Sequence, residues 1–183
     1  YRLGRKLFND EVIASIGGIV FLLHPLQIES VAWISELKNV LSTSFYLAGV
    51  LAYIEYKSNR TISLYLRCFL LFILGCLSKS SVVIFPLSLI CVDLFLDRRI
   101  SMKGLVNKLP FLIVSIIIGI INIRTQTADQ FINHAHEFPF YQRIGFAGFA
   151  LIKYLILFLV PVKLSVIYPY PEIKWSVFIL GFL

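Results

Sequence analysis

A short charged segment between two apolar runs holds the residue types in this chain best suited to chemistry. A long apolar run ends at His24, and Glu29, Glu36 and Lys38 follow before apolar sequence resumes. Charged side chains between membrane-length segments cost several kcal/mol if they face lipid. We therefore expect these groups to face water, a partner or a substrate.

If the segment is read as one helix, Glu29, Trp33 and Glu36 share a face, since they are spaced at i, i+4 and i+7. Carboxylates accept hydrogen bonds from hydroxyl groups, and an aromatic face stacks on the C–H surface of a sugar. The pattern suits a surface that binds sugar hydroxyls. The alternative is an interfacial helix in which Trp33 anchors the chain to the membrane and His24 is satisfied at a helix end.

Further basic residues suit an anion. Lys79 lies in a short polar turn between two apolar runs, although a lysine there often only extends its ammonium into water. Arg143 and Lys153 are ten residues apart, nearly three helical turns, and so lie roughly on one face, with the Tyr154 hydroxyl nearby. Lys153 lies deep in apolar sequence and needs a partner, either an anionic lipid phosphate or one of the glutamates.

The sequence offers only a weak metal pattern. His134 and His136 point apart on a helix, and no third ligand beyond Glu137 is fixed by spacing. The sequence also lacks a glycine-rich phosphate loop, a serine nucleophile motif and a zinc signature. We therefore predict no metal site and no resident cofactor.

Two other sets of residues are predicted to have structural roles. Asp93 lies near the end of an apolar run and is predicted to pair with a nearby base such as Arg98 or Arg67. The three cysteines lie inside apolar segments and are predicted to be small buried hydrophobic residues; they are Cys68, Cys76 and Cys91.

The composition indicates that this chain lies in a membrane. It is 58% hydrophobic and only 15% charged, against about 45–50% apolar residues in soluble domains. Its mean hydropathy is +0.85. The apolar runs exceed the ~9–11 residues of a barrel strand and do not alternate, so they indicate helices. The predicted fold is an all-α, polytopic transmembrane helix bundle forming one domain over residues 1–183.

The apolar runs predict about six full spans and a truncated seventh that starts near Trp175. Only four residues separate the third span from the fourth, which predicts a tight antiparallel hairpin, and 161–174 has interfacial character. We expect an internal piece of a longer protein, because the first residue is not Met and the last run is short. The six spans are 11–27, 39–56, 63–77, 82–96, 110–123 and 144–160.

The net charge of +7 reflects membrane orientation rather than nucleic-acid binding, because basic residues collect in cytoplasmic loops. The predicted outer side holds four basic residues: Lys38, Lys79, Arg124 and Arg143. The predicted cytoplasmic side holds ten: Arg2, Arg5, Lys6, Lys57, Arg60, Arg67, Arg98, Arg99, Lys103 and Lys108. The charged segment after His24 and the turn at Lys79 then share the outer face.

The order of these residues resembles a known family. The run from His24-Pro25 through Glu29-Ser-Val-Ala-Trp33 to Glu36-Leu-Lys38-Asn-Val-Leu-Ser is similar to a block found in bacterial membrane proteins with C-terminal tetratricopeptide repeats. Those proteins are related to the transmembrane and tetratricopeptide-repeat O-mannosyltransferases of the GT-C class. The runs around Lys79, Pro86 and Asp93, and from Arg143 to Pro171, resemble further blocks. Leu37 stands where that family has Arg, and Ser80-Ser81 where it has Pro-Met.

The resemblance implies a membrane glycosyltransferase with a GT-C-like fold. It implies transfer of a sugar, with mannose as one candidate, from a polyprenyl-phosphate donor to a protein or glycan at the outer membrane face. Donor-phosphate contacts would come from Lys79, Arg143, Lys153 and Tyr154. His24, Glu29, Trp33, Glu36 and Lys38 would line the sugar or acceptor pocket. The resemblance also implies a catalytic Asp in a segment preceding Tyr1.

Two other function classes remain open at this stage. A multi-pass transporter would use intramembrane Lys153 and Asp93 along a substrate path, although no inverted repeat is visible. A membrane scaffold without catalytic activity is the second alternative. The expected location is a bacterial inner membrane, or the endoplasmic reticulum membrane if the protein is eukaryotic.

Overall fold

The computed structural model describes residues 1–99, 101–128 and 139–162, and every regular element in these ranges is helical. Three short 3₁₀ turns, Pro25–Gln27, Ile34–Glu36 and Ser80–Ile84, connect the longer helices. The α-helices are α1 Arg2–Phe8, α2 Glu11–Leu23, α3 Ile28–Ala32, α4 Leu37–Asn59, α5 Ile62–Ser78, α6 Phe85–Asp97, α7 Met102–Val106, α8 Leu109–Ala128 and α9 Phe140–Leu159.

Several of these helices have the length and composition of membrane spans. Four qualify, namely Ile34–Asn59, Ser80–Asp97, Gly104–Gln126 and Gln142–Leu159, and the bent pair Glu11–Leu23 with Pro25–Ala32 makes a fifth if it counts as one. The third of these has a mean hydropathy of 2.2, yet only 17% of it is buried. Such exposed apolar surface suits lipid rather than water. The expected all-helical, membrane-type architecture is therefore confirmed.

The number of spans is less definite than the sequence predicts. The apolar helix α5 has 17 residues and is shorter than each of these four helices. The predicted seventh span and most of 161–174 lie outside the described residues. Six full spans and a GT-C-like arrangement remain predictions.

The first span ends earlier than predicted. Helix α2 stops at Leu23, and His24 adopts extended backbone with φ −66° and ψ 126°. The cause is Pro25, whose ring disfavours helical geometry in the residue before it. The chain then continues through a 3₁₀ turn and α3 at an angle of 53° to α2.

The charged segment is not one helix, so the prediction that Glu29, Trp33 and Glu36 share a helical face is wrong. Trp33 has extended backbone, with φ −98° and ψ 121°, and separates α3 from the next 3₁₀ turn. This break rotates the residues after Trp33 away from the register of α3. The segment is a chain of short turns that wraps over the start of α4.

The tight helical hairpin is α4 with α5, one helix earlier than predicted. These helices pack along their lengths, whereas α5 meets α6 mainly through the 3₁₀ turn between them, and α6 packs on α4. Gly49 permits that contact, because a Cβ there would lie 3.0 Å from Phe85 Cζ. The first span's neighbour α1 packs on α2 and α4.

An aromatic cluster forms the core where α4, α5, α6 and α8 meet. Phe72, Phe85 and Phe111 are fully buried. The Phe72 and Phe85 rings stack with centroids 5.3 Å apart, and Phe111 lies 5.5 Å from Phe72. Such ring pairs contribute about 0.5–1.5 kcal/mol each beyond area burial.

The chain divides into two compact units, Tyr1–Thr125 and Gln126–Leu183. Helices α1 to α7 and most of α8 belong to the first unit, which contains the aromatic core. Helix α9 is the described helix of the second unit. The prediction of one domain over residues 1–183 stays a prediction.

Candidate functional site

Three polar residues, two of them predicted site residues, meet at the start of α4. The Lys79 ammonium donates a hydrogen bond to the Asn39 side-chain carbonyl, and the Asn39 amide donates to the Glu36 carboxylate. Lys38 Nζ lies 3.9 Å from the other Glu36 oxygen. We call Glu36, Asn39 and Lys79 the outer polar cluster. Charge is balanced within it, since one carboxylate and one ammonium are linked through a neutral amide.

Local backbone geometry positions the members of this cluster. Lys79 follows the last residue of α5 in extended backbone, and its N–H donates to Gly75 O at 2.9 Å. This conformation turns the chain sharply and directs it into the next 3₁₀ turn. Glu36 precedes the first residue of α4, where the helix dipole favours a negative charge. Asn39 lies in the first turn of that helix.

A pocket of about 210 Å³ lies beside the cluster, and Asn39 lines it. Its walls are the last turn of α2, the turns that follow His24, and one face of α4. The bend at Pro25 carries the chain away from α2 and leaves this space open. Its polar lining is uncharged and consists of hydroxyl and amide side chains; these are Gln27, Ser30, Asn39, Thr43 and Ser44. Such groups suit an uncharged, hydroxyl-rich ligand.

Other residues predicted for the sugar or acceptor surface lie along the same segment but outside the cluster. His24 begins the 3₁₀ turn, and its Nδ1 accepts a hydrogen bond from Leu26 N at 3.3 Å. This contact fits the helix-end role that the sequence left open. Trp33 is exposed. Glu29 belongs to α3, and its side chain lies outside the described residues.

The remaining predicted phosphate-binding residues belong to the second unit. Arg143, Lys153 and Tyr154 all lie on α9, and Tyr154 is exposed. Lys153 Nζ lies 6.0 Å from the centre of the Phe149 ring, within range of a cation–π contact. Their predicted role beside Lys79 stays a prediction.

Asp93 belongs to a second polar cluster, and the partners predicted for it from the sequence are wrong. It does not pair with Arg98 or Arg67. Lys57 Nζ donates to Asp93 Oδ1 at 2.7 Å, and Lys108 Nζ donates to Asp93 Oδ2. Arg98 follows the last residue of α6, and Arg67 is exposed on α5. The packing of α4 on α6 brings Lys57 to Asp93 instead.

This second cluster is buried and nearly saturated with hydrogen bonds. The Tyr53 hydroxyl lies 3.0 Å from Asp93 Oδ1, and Lys57 also reaches Asp97 Oδ2 at 2.6 Å. Asp93 and Lys108 are 7% and 4% exposed. We call Asp93, Lys57, Lys108 and Tyr53 the ionic clamp. It joins α4, α6 and the start of α8, which indicates a structural role.

The sequence missed residues that hold each of the two clusters together. Asn39 was not predicted, although its place three residues after Glu36 on a helix start is a usable signal. Lys57 and Lys108 were counted only as orientation signals. Of the cysteines, Cys68 and Cys76 are buried as predicted, but Cys91 is exposed on α6.

Metal binding finds no support in the described residues. No group of three His, Cys, Asp or Glu side chains there converges on a point that could hold an ion. His134, His136 and Glu137 lie outside the described ranges. The prediction about those three residues stays untested.

Comparison with known proteins gives no further information about this site. No protein-family model, curated protein or solved structure matches the chain, so its assignment rests on its own residues.

Proposed function

We propose that this chain is the membrane module of a glycosyltransferase that uses a polyprenyl-phosphate sugar as donor. The observation that carries the proposal is the placement of Lys79 against Asn39 and Glu36, beside an uncharged polar pocket. The acceptor is a protein or glycan at the outer face. The membrane is a bacterial inner membrane, or that of the endoplasmic reticulum in a eukaryote.

Lys79 is the residue proposed to bind the donor phosphate. Its side chain is half-buried and its partner Asn39 is neutral, so its positive charge is not cancelled by a direct ion pair. A phosphate oxygen forms a stronger, charge-assisted hydrogen bond than an amide oxygen does. The donor phosphate would therefore replace Asn39 as the partner of Lys79. In the transfer step the same charge would stabilise the phosphate as it leaves.

The neighbouring pocket is proposed to hold the sugar ring. Hydroxyl and amide groups on its walls match sugar hydroxyls, and its apolar walls, which include Phe21 and Leu22, match C–H surfaces. Because Asn39 belongs to both the pocket and the cluster, it would contact the sugar and the phosphate side of one donor. His24, Glu29, Trp33 and Lys38 would complete the sugar or acceptor surface.

Residues on α9 are proposed to add further phosphate contacts. Arg143, Lys153 and Tyr154 carry this role from the resemblance, and all three lie on α9. A polyprenyl chain attached to the phosphate would lie among the exposed apolar side chains of the membrane-length helices.

The test is transfer of label from polyprenyl-phosphate sugars in membranes containing the full-length protein. Wild type is expected to transfer label to protein or glycan, and Lys79→Ala is expected to lose at least ~90% of that activity, since a charge-assisted bond is worth ~1.5–3 kcal/mol. Arg67→Ala removes an exposed basic residue on α5 and is expected to leave transfer unchanged.

Equal activity in wild type and Lys79→Ala would remove Lys79 from the donor site. If wild type transfers no label from any polyprenyl donor, the glycosyltransferase proposal fails. Uptake assays in proteoliposomes would then test the transporter alternative.

A further inference from the structure

Two long helices in the first unit end on arginines with unusual backbone geometry. Arg60 follows α4 with φ 53° and ψ 26°, and Arg98 follows α6 with φ 54° and ψ 14°. Both are left-handed conformations, which normally favour Gly or Asn at this position. Each backbone N–H closes the helix, Arg60 onto Tyr56 O and Arg98 onto Leu94 O. An arginine adopts this unfavourable backbone conformation at the end of each of two helices. This repetition indicates that the arginine side chains have a function.

The ionic clamp holds these two arginines at the same end of the unit. Lys57 lies three residues before Arg60, and Asp97 immediately precedes Arg98. The Lys57–Asp97 contact of 2.6 Å therefore ties the ends of α4 and α6 together. Arg99 adds a third guanidinium next to Arg98.

Helix α1 adds more positive charge beside them. Its Phe8 ring packs edge-on against Phe95 of α6 at 5.6 Å. Leu3 and Leu7 of α1 pack on the aromatic core, while Arg2 and Lys6 are exposed. The short helix is thus amphipathic, and the Phe8–Phe95 contact places its C-terminal end, with Lys6, near the C-terminal end of α6.

Three carboxylates at this end are already engaged, and Glu55 of α4 adds one further negative charge. Asp97 binds Lys57, Glu11 binds Arg5 at 3.2 Å, and Asp10 caps α2 by accepting from Val12 N at 2.7 Å. In the part of the chain that the structure describes, Arg60, Arg98 and Arg99 form no ion pair. Positive charge therefore remains in excess on a surface at the ends of membrane-length helices. We call this set the basic rim; its members are Lys6, Arg60, Arg98 and Arg99.

We propose that the basic rim binds the phosphodiester headgroups of anionic phospholipids. Clustered Lys and Arg next to membrane spans attract such headgroups, and a guanidinium can bind two phosphate oxygens at once. The left-handed caps place Arg60 and Arg98 beyond the helix ends, at the height where headgroups lie. This site lies at the opposite end of α4 from the outer polar cluster and does not depend on the proposed enzymatic function.

The test measures stabilisation of the purified protein by lipid. The protein in non-ionic detergent is titrated with phosphatidylglycerol or with phosphatidylcholine, and the Tm is recorded. Phosphatidylglycerol is expected to raise the Tm by roughly 5–10 °C at a hundredfold excess over its Kd. Phosphatidylcholine is expected to leave it nearly unchanged, and added salt should weaken the effect.

The double variant Arg60→Asn/Arg98→Asn separates lipid binding from folding. Because Asn tolerates left-handed backbone, the lipid-free Tm is expected to stay the same or rise, while the phosphatidylglycerol shift falls by at least half. Arg124→Asn is the matched control, since Arg124 is exposed and lies sixteen residues beyond Lys108, about 24 Å along α8. It is expected to keep the full shift.

Three results would overturn the proposal. The first is an undiminished lipid shift in the double variant, and the second is an equal loss in Arg124→Asn. The third is the same stabilisation by phosphatidylcholine or by inorganic phosphate, which would show that the rim does not select anionic lipid. Native mass spectrometry of bound lipid gives a second readout if the double variant has a lowered Tm.

Discussion

At the scale of single residues, Asp93 holds lysines from two different parts of the chain at one buried point. Two ammonium groups share its carboxylate, and the Tyr53 hydroxyl completes the arrangement. Burying these charges is tolerable only because each has a partner. The carboxylate is thus the member whose loss leaves the most charge uncompensated.

Replacing Asp93 with Asn is expected to lower the free energy of unfolding by about 3–5 kcal/mol, since buried Lys108 would lose its carboxylate partner and Lys57 would lose one of its two. Asp97→Asn is the matched control. Its side chain is 53% exposed, so the expected loss is below about 1 kcal/mol. Denaturation of both variants in detergent checks the difference. Equal effects at the two positions would contradict the structural role given to the ionic clamp.

At the scale of elements, close packing at glycine sets the distance between α4 and α6. A methyl group at Gly49 would lie 3.0 Å from Phe85 Cζ, tighter than ordinary van der Waals contact. Phe85 is itself locked in the aromatic core by Phe72. The helices would have to separate to admit the methyl group.

We expect Gly49→Ala to destabilise the protein by about 1–3 kcal/mol through overpacking. Gly17→Ala is the control, because Gly17 is also inside a helix and a methyl group there would meet no atom within 4 Å. At Gly17 the better helix propensity of Ala should leave stability unchanged or raise it by up to ~1 kcal/mol. Thermal unfolding of the two variants gives the comparison. Equal stability of Gly49→Ala and wild type would show that α4 and α6 are not held at this distance.

The helices themselves were predictable, and the connections were not. Long apolar runs located α4, α5 and α6 to within a few residues, because membrane-length hydrophobicity is a strong local signal. The path after His24 was predicted as one helix, and extended backbone at Trp33 breaks it. No residue type there marks the break, which depends on how the segment packs over α4.

The site was predictable in part for the same reason. Glu36, Lys38 and Lys79 stood out because charge is rare in apolar sequence. Asn39, which joins Glu36 to Lys79, carries no such signal, and neither does the pairing of Lys57 with Asp93. Contacts between residues about forty positions apart depend on helix packing, which the pattern of single residues does not encode.

At the scale of the whole molecule, the two polar clusters of the first unit lie at opposite ends of helices whose outer surface is apolar. The ionic clamp closes the end that carries the basic rim. The outer polar cluster lies at the start of α4, beside a pocket, and it is built from connections rather than helix interiors. In the proposed function, donor binding belongs to the outer polar cluster, whereas the ionic clamp stabilises the opposite end.

Binding of polyprenyl phosphate to the purified protein tests this account most directly, with Asn39→Asp as the variant. The substitution preserves size and the contact with Lys79, but it removes the amide that donates to Glu36 and adds a negative charge where the phosphate is proposed to bind. The account predicts at least about a tenfold rise in Kd, equivalent to about 1.4 kcal/mol, in protein that is still folded. An unchanged Kd would contradict the assignment of the outer polar cluster as the phosphate site.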